Sequence, residues 1–421
     1  MRDFTFPPGF RWGTATSSHQ VEGHNVHNDW WAWEQQPGRI KGGDRSGAAC
    51  RWWTAAEADF DRAAALHQNA HRLSIEWSRI EPAPGRWDGA ALDRYREMAA
   101  ALRARGIEPM VTLHHFTNPL WFAEQGGWER PDAPERFARY VEYVVPALRE
   151  HVPIWCTLNE PVGWAVSAYA AGRWPPGRRS ITAAVRALGN LVRAHAAAYR
   201  AIHRLQPGAL VGIAHYFRLF DPADPGSGLD RLVAGAQDRF INAAFLDALT
   251  AGRVRALPWI ADVPDAAGTL DFIGVNYYTR DLVAFDLSVP QRLFGRNFSN
   301  PGAPQSDGGY GEIYPEGLGR VLRRAAGYRR PLYVTENGLP DADDDQRAAF
   351  IVAHLREVHN AIAEGVDVRG YYHWSLVDNF EWAEGWSLRF GLIAVDPLTQ
   401  ERRMRPSAGL YAEICRRGAL P

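Results

Sequence analysis

"PIWCTLNEP", residues 153–161, is an apolar run that ends abruptly in Thr, Asn and Glu. Far downstream "LYVTENG", residues 332–338, does nearly the same. Each run has the length and β-branched character of a buried strand, and each delivers a Glu beside an Asn where the strand would surface. Six further runs of this kind surround them: "FRWGTAT" (10–16), "AHRLSIEW" (70–77), "EPMVTLHH" (108–115), "ALVGIAHYF" (209–217), "LDFIGVNYY" (270–278) and "GYYHWSLVDN" (370–379). Between them lie Ala-, Arg- and Glu-rich segments with helical spacing, for example 90–106, 181–205 and 345–365. Gly106, Pro207 and Gly365 mark helix stops before the next run.

Strands alternating with helices read as parallel β/α units. Eight of them spread over the chain predict an α/β fold, a single (β/α)8 barrel over residues 1–421. No linker or low-complexity tract divides it. "DADDD" (341–345) reads as a solvated loop leading into a helix.

The strands are apolar at their starts and polar at their ends. The ends read Arg72–Glu76, His114–His115, Asn159–Glu160, His215, Asn276–Tyr278, Glu336–Asn337 and Asp378–Asn379. A barrel opens its active site at the C-terminal ends of its strands. These groups are therefore expected to converge on one pocket, with Glu160 and Glu336 facing each other on the fourth and seventh strands.

Composition narrows the partners. The formal net charge is −1, which gives no argument for nucleic acid or an anionic membrane. No run approaches the 18 apolar residues of a membrane span, and the start "MRDFTFPPGFRWG" has no apolar signal core. Cys50, Cys156 and Cys415 are scattered singly, so the expected setting is the reducing cytoplasm. The chain has 17 Trp, many in polar stretches such as "NDWWAWE" (28–34) and "NFEWAEGW" (379–386), and Trp is a natural platform for sugar rings. His19, His24 and His27 are spaced for no common metal site, and no metal or cofactor is expected.

Two opposed carboxylates in a Trp-rich pocket suit glycoside hydrolysis, in which one acid protonates the leaving oxygen and the other meets the developing oxocarbenium ion. At these residues the chain resembles glycoside hydrolase family 1, the β-glucosidase family. "FRWGTATSSHQVEG" (10–23), "TLNEP" (157–161), "VTENG" (334–338) and "WSLVDNFEWAEGWSLRFGL" (374–392) resemble its signatures, in order. The resemblance implies a retaining β-glycosidase with Glu160 as acid/base and Glu336 as nucleophile. It implies that Arg72 and Tyr278 contact the nucleophile and that Asn159 bonds the sugar 2-hydroxyl. Gln20, His115, Asn159, Glu381 and Trp382 match the polar shell of the −1 sugar, and Trp374 its stacking floor. The implied partner is a small β-glycoside releasing glucose, with galactose or fucose tolerated. A transglycosylase would share these residues, and a silent sugar-binding protein could share the scaffold.

Two departures bear on substrate. Relatives commonly carry a Trp platform for the leaving group in "GWEIYPEGL"; here the stretch is "GYGEIYPEGL" (309–318), and alignment on Glu312 sets Gly311 at that place. An open +1 subsite is the expectation, with Tyr310 as the alternative platform. Relatives that cleave 6-phosphoglycosides carry Ser, Lys and Tyr where this chain has Glu381, Leu388 and Phe390, so the expected substrate is unphosphorylated.

Overall fold

The computed structural model describes residues 4–421. Eight parallel strands close into a barrel: β1 Arg11–Ala15, β2 Ala70–Ser74, β3 Glu108–His114, β4 Ile154–Asn159, β5 Leu210–Pro222, β6 Phe272–Phe285, β7 Leu332–Asn337 and β8 Val368–Trp374. Each pairs with the next, and β8 returns to β1. All eight runs read from the sequence fall on these strands. Between them run α1 Trp52–Ala65, α2 Gly89–Ala104, α3 Ala133–Leu148, α4 Ile181–Leu205, α5 Gly228–Asp238, α6 Pro315–Ala326 and α7 Arg347–Ala363, and α8 Pro406–Arg417 follows β8. Among the described residues no helix is long and apolar enough to cross a membrane, and the three cysteines are free and buried.

The helix starts follow local chemistry. Asp88 caps α2 by accepting from the Ala91 amide at 3.0 Å, and Ser180 caps α4 from Ala183 at 3.2 Å. "DADDD" departs from the expected solvated loop at its first residue. Asp341 is buried and accepts the amides of Asp344, Gln346 and Arg347 at 3.0, 3.1 and 2.7 Å, which ties the loop to the start of α7.

Strands β5 and β6 outrun their predicted ends because they leave the barrel as a pair, still in register from Leu219↔Arg280 to Pro222↔Val283. The bidentate bond from Arg218 to Asp281, at 2.6 and 2.7 Å, ties them together there. Inside the barrel, Met110, Ile154, Phe272, Tyr333 and Tyr372 fill the floor. The interior is thus packed below and polar above, as the strand asymmetry required.

Both ladders shift register just before the two glutamates, between Cys156 and Asn159 on β4 and between Val334 and Glu336 on β7. Such an irregularity re-aims the side chains that follow it. It explains how a strand whose Thr157 faces outward, bonded to His195 of α4 at 2.6 Å, turns Asn159 inward two residues later. The glycine of "VTENG" has a steric cause: a Cβ on Gly338 would sit 1.9 Å from the Trp374 carbonyl oxygen.

Candidate active site

The end of β7 holds Glu336 between two donors. Arg72 Nη1 gives to Oε1 at 2.5 Å and the Tyr278 hydroxyl gives to Oε2 at 2.6 Å. Arg72 is fully buried and its other nitrogens are engaged as well: Nε gives to Thr112 Oγ1 at 3.0 Å and Nη2 to Asn159 Oδ1 at 2.6 Å. This fork fixes the position of both Glu336 and Asn159.

Glu160 ends β4 in the left-handed region, φ 45°, and caps the short helix Pro161–Ala165. Its Oε1 accepts from Asn276 Nδ2 at 2.9 Å, and the same nitrogen gives to Asn159 Oδ1 at 3.1 Å. Thr335 Oγ1 locks the Asn276 amide by donating to its oxygen at 2.7 Å. The two glutamates are therefore linked through Asn276, Asn159 and Arg72. Burial, and then the charge of Glu336, push the Glu160 carboxyl up to about 8.

The remaining predicted residues form the opposite wall. Gln20 Nε2 gives to Asn379 Oδ1 and the Phe380 carbonyl, both at 2.9 Å, and to Glu381 Oε2 at 3.2 Å. Burial, and then Glu336, push Glu381 up to about 8 as well. Asn159 Nδ2 gives to His115 Nε2 at 3.2 Å, which leaves the His115 proton on Nδ1, a buried atom with no protein partner. Burial and the Arg72 charge hold His115 well below the usual imidazole value, so the ring is neutral. Flat rings stack here in a column: Trp374 on His115 (21° between planes), His115 on Trp382 (13°) and Trp382 on His19 (16°).

Every residue that the sequence assigned to the site (Gln20, Arg72, His115, Asn159, Glu160, Tyr278, Glu336, Trp374, Glu381, Trp382) belongs to this connected cluster. His114 packs away from it, bonded to Asn118 at 3.1 Å and edge-on to Trp128 and Trp164. Other strand-end groups do not converge. His215 is fully buried on the outer face, where the Asn242 and Ile241 backbone and Arg324 of α6 act on it, and burial lowers it to about 3. Asn337 turns to the Tyr277 carbonyl and the Tyr371 hydroxyl, at 2.7 and 2.8 Å. Asp378 is held by the Arg405 fork at 2.9 and 3.0 Å.

The expected opening at Gly311 is corrected. Gly311 is buried, and a Cβ on it would sit 2.6 Å from Thr279 Oγ1 on β6, so this backbone leaves no room for a side chain there. Its neighbour Tyr310 occupies the wall instead, edge-on to Tyr278 at 5.8 Å and to Phe390 at 5.2 Å. Sequence reasoning also missed Tyr216. Its ring and Glu160 Oε2 both come within 4 Å of the point a Cβ would take on Gly163. The signal was parity: once Ala214 faces the barrel interior, Tyr216 shares its face and His215 does not.

The family model "Glycosyl hydrolase family 1" matches residues 2–419. The chain is 33% identical to β-glucosidase A of Thermotoga maritima, with 99% of this chain and 98% of that protein aligned. It is equally 33% identical to a β-galactosidase of Sulfolobus acidocaldarius over 99% of this chain and 96% of the other. Among solved structures, a β-glycosidase from Pyrococcus horikoshii superimposes with a TM-score of 0.94 at 41% identity, covering 100% of this chain and 97% of that one. With the family model spanning the barrel and both glutamate signatures, the chain belongs to glycosyl hydrolase family 1 and is a glycoside hydrolase.

Proposed function

We propose that the chain hydrolyses terminal non-reducing β-D-glucosyl residues, with galactosyl and fucosyl residues tolerated, from unphosphorylated β-glycosides with retention of configuration. The observation that carries this is the contrast between two linked carboxyls. Glu336 accepts from Arg72 and Tyr278 on its two oxygens, the setting of a carboxylate nucleophile. Glu160, raised to about 8, keeps a proton near neutral pH and serves as the acid. Its proton goes to the leaving oxygen as Glu336 attacks the anomeric carbon. The glycosyl ester then removes the Glu336 charge, one cause of the raised value, so Glu160 becomes a better base toward water. Asn159 is oriented by Arg72 to reach the 2-hydroxyl, and His115 Nδ1, Gln20 and Glu381 offer partners for the other hydroxyls.

Relatives add support. The Thermotoga maritima enzyme, 32% identical in its solved form and superimposing with a TM-score of 0.94, was captured with glucoimidazole. Both glucosidase and galactosidase names occur among similar proteins, which fits tolerance at the 4-hydroxyl. We read the whole chain as one catalytic domain working in the cytoplasm, given three free buried thiols. A transglycosylating enzyme would use the same groups and differ in acceptor.

The test is Glu160→Ala with an activated aryl β-glucoside and azide. Azide needs no general base, so it restores deglycosylation and yields a β-glycosyl azide. An α-azide, or no acceleration, overturns the assignment.

A further inference from the structure

The side of the mouth next to Glu160 is built from cations. The leaving group must lie there, because Glu160 protonates its oxygen, while Gln20 and Glu381 take the sugar on the opposite wall. Tyr216 flanks Glu160, and its hydroxyl accepts from Arg218 Nη1 at 2.8 Å. Arg218 is itself neutralised by Asp281. Beyond it stand two guanidinium groups with no carboxylate partner among the described residues. Arg173 follows the short helix that Glu160 caps, and its only side-chain bond is a long one, 3.5 Å, to Ser167 Oγ. Arg292 ends the short turn Pro290–Arg292 outside β6; its backbone amide gives to the Val289 carbonyl at 2.9 Å and its carbonyl accepts from Gln237 at 2.7 Å, while its side chain has no hydrogen bond or ion pair among the described residues.

Both residues are exposed, although the Arg173 guanidinium is partly covered. Yet they stand close enough to act on each other. Partial burial and then the Arg292 charge lower Arg173 from the ordinary guanidinium value, with Arg218 adding to it, and Tyr216 acts in the opposite sense. Like charges gathered at one side of a cleft raise the local concentration of anions and bind a carboxylate by a planar fork. The acids nearby do not cancel them. Asp281 is held by Arg218 and by Asn297 at 3.0 Å, and Glu160 is raised to about 8 and so holds its proton near neutral pH.

We propose that the aglycone subsite accepts a carboxylate-bearing aglycone, held by Arg173 and Arg292 beyond the Tyr216 ring. This rests on Glu160 being the acid of the proposed function and goes beyond it by naming a class of leaving group.

The experiment compares two aryl β-glucosides, 4-(carboxymethyl)phenyl and 4-(carbamoylmethyl)phenyl. They match in size, and the methylene insulates the phenol from the charge. The expected kcat/KM ratio favours the carboxylate at least roughly threefold at low salt and approaches unity near about 1 M salt, where the screening length is about 3 Å. Arg173→Gln and Arg292→Gln each lower the low-salt ratio. A ratio of one or less in the wild-type enzyme overturns the proposal. So does a salt-sensitive ratio that neither substitution moves, since that is diffuse steering by the whole surface. Absence of turnover of both glucosides overturns the proposed function, and this inference with it.

Discussion

The Tyr278 hydroxyl stands 2.6 Å from Glu336 Oε2 and donates to it. Burial, and then Glu336 itself, raise the phenol well above its ordinary value, so it stays a donor throughout the working range. A hydrogen bond to a charged group contributes about 1.5–3 kcal/mol, or roughly ten- to hundredfold in rate if it acts in the transition state. Tyr278→Phe removes that donor and leaves the Arg72 contact in place. The expected outcome is a loss of roughly ten- to hundredfold in kcat/KM on an aryl β-glucoside. A loss below about twofold in a folded protein would remove Tyr278 from the machinery.

The raised value of Glu160 has consequences for activity and for stability. The alkaline limb of kcat/KM on a glucoside with a poor leaving group should bend near pH 8, as a joint property of Glu160 and the similarly raised Glu381. For stability the sign follows from proton binding. A carboxyl with a folded value of about 8 against an ordinary 4.5 binds more protons when folded. It leaves stability intact below about pH 4.5 and costs stability as pH rises toward about 8. Glu160→Gln removes that loss. The Tm of the variant relative to wild type should therefore rise between pH 5 and pH 9, by on the order of a few °C. A difference that is flat across this range contradicts the raised value.

How much of this was legible in the sequence depends on parity and on steric neighbours. The strands were legible because a barrel buries continuous apolar runs on both faces. Glu160 and Glu336 were legible because each ends such a run beside an Asn. His215 and Tyr216 show the limit: they are adjacent, both polar at one end, and only the inward face of β5 decides which of them meets the site. At β4 and β7 even parity fails, since the ladder shifts register just before each glutamate. Gly311 shows a different limit. Alignment assigned it a missing side chain, whereas its size is set by Thr279, which lies on β6 far away in sequence.

That contact is directly testable. Thr279 Oγ1 donates to the Glu312 carbonyl at 2.8 Å, so it cannot swing away freely from a new Cβ at 311. Overpacking of this kind costs about 1–3 kcal/mol. Gly311→Ala should lower the Tm, and Thr279→Ser, which keeps the hydroxyl and removes the methyl, should relieve part of that loss in the double variant. Additive effects of the two changes in thermal melts would show that the residues do not press on each other.

Tyr310 is then a second aromatic wall of the pocket, beside Tyr278. Its ring is held edge-on by Phe390 at 5.2 Å and Tyr278 at 5.8 Å, and burial, then its neighbours Glu381, Tyr216 and Glu160, raise its phenol well above the ordinary value. Those contacts fix the ring between the two ends of the pocket, where it can pack against a +1 sugar but has little to offer a flexible alkyl chain. An aromatic face contributes about 0.5–1.5 kcal/mol beyond area burial, roughly a three- to tenfold effect. Tyr310→Ala should therefore reduce kcat/KM for cellobiose about three- to tenfold more than for an alkyl β-glucoside. Tyr310→Phe keeps the ring and should hold the wild-type ratio. If Tyr310→Ala lowers both substrates equally, the ring serves only to brace Tyr278. If Tyr310→Phe already loses the selectivity, the hydroxyl and not the ring face is the contact, and stacking at 310 is the wrong account of the +1 subsite.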